Sequence, residues 1–458
     1  MYQIDFKRPV HVHFIGIGGI SMSGLAEILL KEQFTVSGSD MKRSDLTALL
    51  EAAGAHISIG QRAANITPAI DLVVYTAAIH PDNPEFLRAK ALSIPMLTRA
   101  ELLGQIMSHY ENSIAVSGTH GKTTTTSMIS HILLEAKADP TISIGGILDA
   151  IGGNIRVGSS DVFLTEACEY TNSFLHFYPK YSLILNIEED HMDFFKDLAD
   201  IRHSFRSFAE NTAQDGVLII NGQIAEREDI TRGLPCRIVT FGTDPADTYY
   251  PSDLAFDEAG CASFTLHTPS GSFPAALHVP GTHNVLNAAA AAACASEAGI
   301  PLSAITAGLE SFGGTKRRFE KKGMLGGVAV IDDYAHHPTE IAATLRAAQN
   351  VPHDRIICVF QPHTYTRTKA FWKEFAEALS HADIVVLADI YAARETDTLG
   401  VSSQALAGEV AALGTEAYYF PSFDEIENFL LKKCMNNDLL ITMGAGDVCK
   451  IGDHLLGL

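Results

Sequence analysis

The sequence predicts an α/β protein of three domains, and two observations carry that prediction. The chain has 458 residues, which at about 100–200 residues per domain accommodates two to four domains. An apolar strand-like run, a Gly-rich or polar turn and a helix-like segment recur in this order at Val10–Ile15, Ser113–Val116 and Val328–Ile331. Buried β-runs that alternate with helical patterns are typical of parallel sheets covered by helices on both faces.

The composition excludes several classes of protein. The chain carries 33 basic and 54 acidic side chains, a formal charge of −21, which argues against a nucleic-acid surface because that would need a basic stripe. Its seven cysteines are scattered without close pairs, which is typical of reduced thiols in a cytosolic protein. The charged N-terminus predicts no secretory signal, and no apolar run reaches the length of about 18 residues that a membrane span needs. We therefore expect a cytoplasmic protein with no membrane span.

Two junctions divide the chain. The helical segment Arg99–Met107 precedes a polar stretch, and a second junction at Phe312–Thr315 precedes the basic cluster Lys316–Arg318. The segment Gly216–Pro280 has short strands, Gly and Pro turns and no clear helix, so we expect a β-rich extension of the central domain. The expected domains span residues 1–108, 109–315 and 316–458.

The N-terminal domain begins with a Gly-rich turn that follows the strand Val10–Ile15 and opens a helix. Such glycines let a strand turn tightly into a helix, whose free N–H groups can bind a diphosphate. Asp40 follows at the end of the next strand, where ribose hydroxyls are commonly bound. The pattern is Rossmann-like, but its sixth position is Ser21 rather than Gly, so it predicts a nucleotide diphosphate site, with an unliganded turn as the alternative. The residues of this site are Gly16, Gly18, Gly19, Ser21 and Asp40.

A second glycine-rich loop lies between the strand Ile114–Val116 and a helix that we expect to begin near Thr125. Backbone N–H groups of such a loop surround phosphates, a lysine such as Lys122 neutralises their charge, and a Thr hydroxyl reaches Mg²⁺. Two residues separate its first glycine from the Gly-Lys pair, whereas the common phosphate loop has about four. The loop predicts a P-loop-type central ATPase domain, with an ordinary Gly-Lys helix start as the alternative. Its residues are Gly118, Thr119, His120, Gly121, Lys122, Thr123 and Thr124.

Acidic residues and a histidine follow two further strands of the central domain. Glu166 and Glu169 come after the strand Val162–Leu164. The segment Asn186–Asp193, which contains His191 and several acidic residues, comes after the strand Ser182–Leu185. Parallel strands end at the same edge of a sheet, so these side chains are expected near the phosphate loop. They are suited to complete a Mg²⁺ shell, although acids on surface loops are common and each can be inert.

Two polar clusters mark the C-terminal domain, which is also expected to be Rossmann-like. Asp332–Glu340 follows the strand Val328–Ile331, and Gln361–Lys369 follows the strand Ile356–Phe360. Such dense polar groups are costly to bury, so we expect them to face a cleft or, alternatively, solvent. The paired histidines of the first cluster do not indicate zinc, because no Cys or third His stands at ligand spacing.

These motifs, in this order, resemble those of the Mur ligases, the ATP-dependent amino-acid ligases of peptidoglycan precursor synthesis. The resemblance runs from His11 to about Asp447. It implies that the N-terminal turn holds the UDP moiety of a sugar nucleotide rather than a nicotinamide cofactor. The segments that carry it are Phe14–Gly24, Gly118–Thr124, Glu166–Glu169, Asn186–Asp193, Gly281–Asn284, Thr315–Phe319, Asp332–Glu340 and Gln361–Arg367.

The resemblance also implies how ATP and its metal are bound. Lys122 is expected to neutralise the ATP phosphates as a catalytic residue. Mg²⁺, or Mn²⁺ in its place, is expected on Thr123, Glu166 and His191. The residues expected near adenine and closing over ATP from the C-terminal domain are Asn284, Arg318 and Asp333.

The amino acid is expected near His336, His363 and Arg367, with His336 as a candidate base. Relatives often carry Arg after the histidine of the Gln-Pro-His motif, but this chain has Thr364 there. Arg367 is then the sole clear cation for an amino-acid carboxylate.

Among Mur ligases, the motifs look most like those of members whose substrates are UDP-N-acetylmuramate and L-alanine. Members that attach an intact tripeptide to the same sugar nucleotide are the alternative. From other classes, a nicotinamide-dependent dehydrogenase leaves Gly118–Thr124 unexplained, and a nucleotide-binding regulator leaves the polar clusters after residue 330 unexplained. The sequence predicts no oligomeric state.

Overall fold

The strands form four sheets that follow one another along the sequence. A computed structural model describes residues 2–76, 78–393 and 395–458. Met1, with which the expected N-terminal domain begins, lies outside the described residues.

The first sheet is wholly parallel, with strand order β3-β2-β1-β4-β5. This order is Rossmann-like, as predicted. Gly16 follows the central strand at φ 84°, a conformation that favours glycine, and the helix after the turn begins at Ile20. The strands are β1 (His11–Ile15), β2 (Thr35–Asp40), β3 (His56–Ile59), β4 (Leu72–Tyr75) and β5 (Met96–Thr98). The helices are α1 (Ile20–Lys31), α2 (Asp45–Ala52), α3 (Pro84–Ala91) and α4 (Arg99–Met107), with a 3₁₀ turn at Ala63–Asn65.

The second sheet has seven strands in the order β12-β11-β10-β6-β9-β7-β8. Its pairings are parallel except for the edge strand β8, which returns antiparallel to β7. The strands are β6 (Asn112–Ser117), β7 (Thr141–Leu148), β8 (Gly153–Arg156), β9 (Val162–Glu166), β10 (Tyr181–Ile184), β11 (Val217–Asn221) and β12 (Arg237–Phe241). The helices are α5 (Lys122–Glu135), α6 (Leu198–Glu210), α7 (Arg227–Thr231), α8 (Thr282–Glu297) and α9 (Leu302–Ser311), with 3₁₀ turns at Asp149–Ile151 and Tyr170–His176.

Two helix predictions for this region are wrong. Helix α5 begins at Lys122 rather than near Thr125, because Gly121 at φ 82° ends the loop immediately before the lysine. The run of threonines hid this start, since β-branched residues are weak helix formers. Helix α7 lies within the segment in which we expected no helix, and its five residues are too few to show a helical period.

The β-rich extension is confirmed as a separate antiparallel sheet of three strands in the order β13-β14-β15. It packs into the same buried apolar cluster as α8, in which Ala288 and Ala291 are fully buried. The strands are β13 (Tyr250–Phe256), β14 (Cys261–Thr268) and β15 (Gly271–Pro280).

The last sheet has six strands in the order β16-β17-β21-β18-β19-β20. It is parallel except for β16, which forms a hairpin with β17 through Gly326 and Gly327, both at positive φ, as such tight turns require. The strands are β16 (Glu320–Leu325), β17 (Val328–Asp333), β18 (Ile356–Phe360), β19 (Ile384–Leu387), β20 (Glu416–Tyr419) and β21 (Leu439–Met443). The helices are α10 (Pro338–Ala348), α11 (Tyr365–Ala370), α12 (Trp372–Leu379), α13 (Ser403–Ala412), α14 (Phe423–Lys433) and α15 (Cys449–Leu456).

Helix α1 joins the first sheet to the second. Lys31 Nζ at its end donates to the carbonyls of Val157 and Gly158, at 3.0 and 2.7 Å. At its start, Asn154 Nδ2 donates to the Ile20 carbonyl at 3.5 Å. The Gly-rich turn before α1 therefore lies beside the second sheet. In the part of the chain that is described, no helix combines the length and apolar character needed to cross a membrane.

Candidate functional site

The phosphate loop, residues 118–124, follows the central strand β6 of the second sheet and is hydrogen-bonded to the segment after the neighbouring strand β10. Strand β6 pairs with β10 on one side and β9 on the other, all parallel, so the segments after the three strands meet at one edge. Asn186, just after β10, accepts the His120 N–H through Oδ1 at 2.7 Å, and its carbonyl accepts the Thr119 N–H at 3.2 Å. Asn186 thus shapes the loop, a role that the sequence did not reveal.

Lys122 is held by Glu169, a carboxylate that the sequence suggested for the metal rather than for the lysine. Its Nζ lies 2.9 Å from Glu169 Oε2 and also donates to the loop carbonyls of Gly118 and Thr119. Burial alone would lower the pKa of Lys122, but the Glu169 carboxylate raises it above its usual value. The lysine therefore remains a cation at the mouth of the loop.

The predicted metal residues lie at the same edge. Thr123 Oγ1 donates to Glu166 Oε2 at 3.1 Å, so these two are in direct contact. His191 Nε2 lies 3.7 Å from the carboxylate of Glu169, the residue that also contacts Lys122. Burial lowers the pKa of His191, and a neutral imidazole is the form that binds metals. The Thr123 hydroxyl and the Glu166 carboxylate are oxygen donors of the kind that fit a hard divalent cation, with the neutral His191 imidazole at the same edge of the sheet.

A second cluster of ligand-type atoms does not form a metal site of its own. Atoms of His120, Glu188 and His337 lie within 4.8 Å of one another. Both ring nitrogens of His337 are engaged, Nε2 with the Glu189 carbonyl at 3.0 Å and Nδ1 with the Thr339 N–H at 3.3 Å. With both nitrogens engaged, no lone pair of His337 is left for a metal.

His120 instead links the central and C-terminal domains. Its Nε2 lies 3.4 Å from Glu188 and its Nδ1 lies 3.2 Å from Glu340 on α10. Burial would lower the pKa of His120, but the two carboxylates raise it to about 9. The imidazolium therefore draws the phosphate loop and the N-terminus of α10 together.

A cavity of about 310 Å³ lies next to the phosphate loop, and the residues predicted to contact adenine and close over ATP line it. Asn284 donates through Nδ2 to the Pro280 carbonyl at 2.7 Å. Arg318 lies over the Tyr334 ring at 5.1 Å. Asp333 accepts the Phe319 and Ala335 N–H groups at 2.8 and 2.7 Å, and burial raises its pKa to about 6. The other lining groups include the apolar side chains of Leu185, Phe241, Val279 and Phe312.

A smaller cavity of about 160 Å³ brings His191 of the central domain opposite His363, Thr364 and Arg367. Arg367 donates through Nε and Nη2 to Asp190 Oδ1, at 3.0 and 2.9 Å. Its Nη1 lies 3.1 Å from His363 Nδ1. Arg367 is thus already engaged, yet a guanidinium has more N–H donors than these contacts use.

His336 is not among the residues that line this smaller cavity. Its ring centroid lies 5.9 Å from that of His363, and its Nδ1 is 2.9 Å from the Tyr334 carbonyl. Burial lowers the pKa of His336 to about 3. A base of that strength is poorly matched to an ammonium near neutral pH, so the geometry gives the predicted base little support.

The predicted residues of the N-terminal turn lie together. Asp40 Oδ2 accepts the Gly18 N–H at 2.9 Å, and a Cβ at Gly18 would lie only 2.8 Å from that oxygen. The N–H groups of Gly16 and Ile17 donate to the Ser39 carbonyl at 2.8 and 2.9 Å. Ser21 Oγ accepts from Arg99 Nη1 at 3.0 Å, and Arg99 is a cation that the sequence did not single out.

Comparison with known proteins supplies independent findings. Three family descriptions match successive parts of the chain, namely the Mur ligase family catalytic domain over residues 11–111, the Mur ligase middle domain over 116–295 and the Mur ligase glutamate ligase domain over 317–446. The UDP-N-acetylmuramate–L-alanine ligase of Agathobacter rectalis is 62% identical over 457 residues and covers 100% of both chains.

Solved structures agree. The UDP-N-acetylmuramate–alanine ligase of Thermotoga maritima is 31% identical with a TM-score of 0.80, covering 98% of each chain. A murein peptide ligase from Psychrobacter arcticus is 25% identical with a TM-score of 0.71 over the same share of each chain. The order of the motifs, the three-part fold and these full-length similarities show that the chain belongs to the Mur ligase family.

Proposed function

We propose that this protein is an ATP-dependent ligase that joins L-alanine to the lactyl carboxylate of UDP-N-acetylmuramate in peptidoglycan precursor synthesis. One observation carries the proposal beyond the similarities. Lys122 contacts Glu169, and Glu169 lies beside His191. His191 lines the smaller cavity together with Arg367. These contacts connect the phosphate loop to the cavity that we assign to a small amino acid. Phosphoryl transfer and amide formation require such adjacency, because the carboxyl group that is phosphorylated in the first step is attacked by the amine in the second.

The reaction runs in two steps with an acyl phosphate between them. A carboxylate oxygen of the muramyl lactyl group attacks the γ-phosphorus of ATP, and ADP leaves with the electrons of the broken P–O bond. The amine of L-alanine then attacks the acyl carbonyl, a tetrahedral intermediate forms, and phosphate leaves. The amine loses its proton to solvent in this step, and the products are the amide, ADP and phosphate.

The residues of the chain position and neutralise charge in this scheme. Lys122 balances the charge of the transferred phosphoryl group. Thr123, Glu166 and His191 would hold Mg²⁺, or Mn²⁺ in its place. The bound metal would supply charge neutralisation between the phosphates. The loop from Gly118 to Thr124 would surround the phosphates, and Asn284, Arg318 and Asp333 would bound the nucleotide in the larger cavity.

The sugar nucleotide and the amino acid are assigned to opposite ends of the site. Gly16, Gly18, Gly19, Ser21 and Asp40 would hold the UDP moiety on the N-terminal domain. His363 and Arg367 would hold L-alanine, with His336 behind His363 as a positioning residue rather than a base. The tripeptide-adding alternative is not favoured, because the full-length relative at 62% identity is named as the alanine-adding ligase.

A phosphate-release assay tests the function. The protein is given ATP, Mg²⁺ and UDP-N-acetylmuramate, with L-alanine or the murein tripeptide as acceptor and without nicotinamide. We expect phosphate release that depends on L-alanine, together with a product that is heavier by one alanine residue. Release that depends on the tripeptide alone, or the absence of release with either acceptor, would refute the proposal.

We further propose domains over residues 1–108, 109–315 and 316–458, and a cytoplasmic location. The first boundary falls after α4 and before β6, and the second falls between α9 and β16. All seven cysteines are free of disulfides, which is typical of proteins in a reducing compartment and supports the location. Expression of 1–108 and 316–458 as separate folded units would support the boundaries, and aggregation of both would argue against them.

A further inference from the structure

Arg99 reaches from one end of the N-terminal sheet to the Gly-rich turn. It directly follows β5 and is the first residue of α4, at the carboxyl edge where α/β sheets bind ligands. Its Nη1 donates to Ser21 Oγ at 3.0 Å, so the guanidinium lies beside the first turn of α1. Ser21 is one of the residues expected to hold the sugar nucleotide.

The charge of Arg99 is not balanced by the protein. Within residues 2–76, 78–393 and 395–458, Arg99 forms no ion pair, although it is half-buried. Burial lowers the pKa of its guanidinium, yet arginine stays charged in proteins. An unpaired charge withdrawn from water is costly, which indicates that an anion completes this site.

Other cations of the site show the contrast. Lys122 lies 2.9 Å from Glu169, Arg367 lies 2.9 Å from Asp190, and Arg317 lies 3.0 Å from Asp332. Each has a carboxylate partner before any ligand arrives. Arg99 has a hydroxyl instead, which orients the guanidinium without neutralising it.

Its position also fits an extended anionic substrate. Arg99 contacts Ser21 of the turn and interacts electrostatically with Cys168, which belongs to the segment Glu166–Glu169 beside the phosphate loop. A sugar nucleotide that extends from the turn toward Lys122 would run past Arg99. Its diphosphate belongs near the turn, and its carboxylate must reach the γ-phosphate beyond.

We infer that Arg99 binds the diphosphate of the sugar nucleotide, with Ser21 fixing the orientation of its guanidinium. The inference rests on the proposed function and assigns it a residue. A planar guanidinium matches phosphate oxygens with two parallel N–H donors. The N–H groups in the first turn of α1, which no side chain caps, supply the other donors.

Calorimetry with three ligands tests this assignment. UDP and UDP-N-acetylglucosamine carry the diphosphate without the lactyl carboxylate, whereas UDP-N-acetylmuramate carries both. For Arg99→Gln we expect affinity for all three to fall by a similar factor, about tenfold or more, as for other lost charged hydrogen bonds. Arg88→Gln removes an exposed arginine of the same domain and should leave all three affinities unchanged.

The outcomes are distinct. A loss confined to UDP-N-acetylmuramate would overturn the inference and place Arg99 on the carboxylate, and unchanged affinity for all three would overturn it altogether. Should Arg99→Gln fail to fold, as judged by its melting curve and ATP binding, Arg99→Lys decides, with an expected weaker but uniform loss. A wild-type enzyme that does not ligate L-alanine would refute the proposed function instead, whatever the binding data.

Discussion

Arg367 donates from two of its nitrogens to a single oxygen of Asp190, and this pair joins the C-terminal domain to the central domain. Both side chains are largely enclosed, 8% and 7% exposed. Burial would raise the pKa of Asp190, but Arg367 outweighs burial and holds that pKa below its usual value. The residue expected to bind the amino-acid carboxylate therefore also fixes the position of its own domain.

Replacement of Arg367 by lysine tests the amino-acid site. Arg367→Lys keeps the charge toward Asp190 but loses the planar fork. The KM for L-alanine should rise about tenfold, which corresponds to roughly 1.4 kcal/mol, while the KM values for ATP and UDP-N-acetylmuramate move little. Steady-state kinetics with each substrate varied in turn provides the measurement. A normal alanine KM with weakened ATP binding would place this arginine on the nucleotide.

Removal of the loop lysine separates the two nucleotide sites. Lys122→Ala should abolish ligation while leaving binding of UDP-N-acetylmuramate nearly intact, because Lys122 lies on the central domain and the Gly-rich turn on the N-terminal domain. Calorimetry with each ligand measures this. If the variant lost the UDP-sugar as severely as ATP, the assignment of the two loops would be wrong. Lys321→Ala, an exposed lysine on β16, serves as the control.

The metal residues have their own test. Glu166→Ala and His191→Ala should each raise the Mg²⁺ concentration needed for half-maximal rate and slow phosphoryl transfer, because each removes a ligand of a hard cation. Titration of the rate with Mg²⁺ and with Mn²⁺ gives the measurement, and Glu210→Ala on the exposed end of α6 is a suitable control. An unchanged metal requirement in both variants would show that Glu166 and His191 do not bind the metal.

The sequence predicted the fold class well because its strong signals are local. The turn after β1 and the loop after β6 each stand between an apolar run and a helix, and their glycines have the positive φ values that such turns need, as at Gly16 and Gly121. The sequence did not predict the start of α5, because its β-branched threonines are weak helix formers. It did not predict α7, because five residues are too few to show a helical period.

Partnerships within the site were not predictable in the same way. Three carboxylates of the polar motifs pair with cations that are distant in the sequence. The pairs are Glu169 with Lys122, Asp190 with Arg367, and Glu340 with His120. Which carboxylate meets which cation depends on how the domains face each other, and a single sequence carries no direct signal of that. The low pKa of His336 was hidden for the same reason, since it results from tertiary burial.

The His120 contact predicts a dependence on alkaline pH. Because the pKa of His120 is raised from 6.5 to about 9, its contribution to stability is fully present below about 6.5 and is lost as pH rises through about 9. Melting curves between these values should show a loss of stability in the wild type that is much smaller in His120→Gln. His454→Gln, which removes a half-exposed pair with Glu427, should behave as the wild type. Parallel curves for wild type and His120→Gln would show that the imidazolium does not hold the domains.

The departure at Thr364 provides the last test. Thr364 lines the smaller cavity at φ 67°, which is unfavourable for a β-branched residue, and its side chain accepts the Arg367 N–H at 3.4 Å. Thr364→Arg relieves the β-branching, loses this weak helix cap and adds a cation near Glu395, which also lines the cavity. We expect the alanine KM to fall, by up to about tenfold for one added charged hydrogen bond, with a slightly lower melting temperature from the lost cap. Thr364→Ser keeps the hydroxyl and should keep the wild-type KM. A higher alanine KM in Thr364→Arg alone would mean that the new guanidinium fills the space that the amino acid needs.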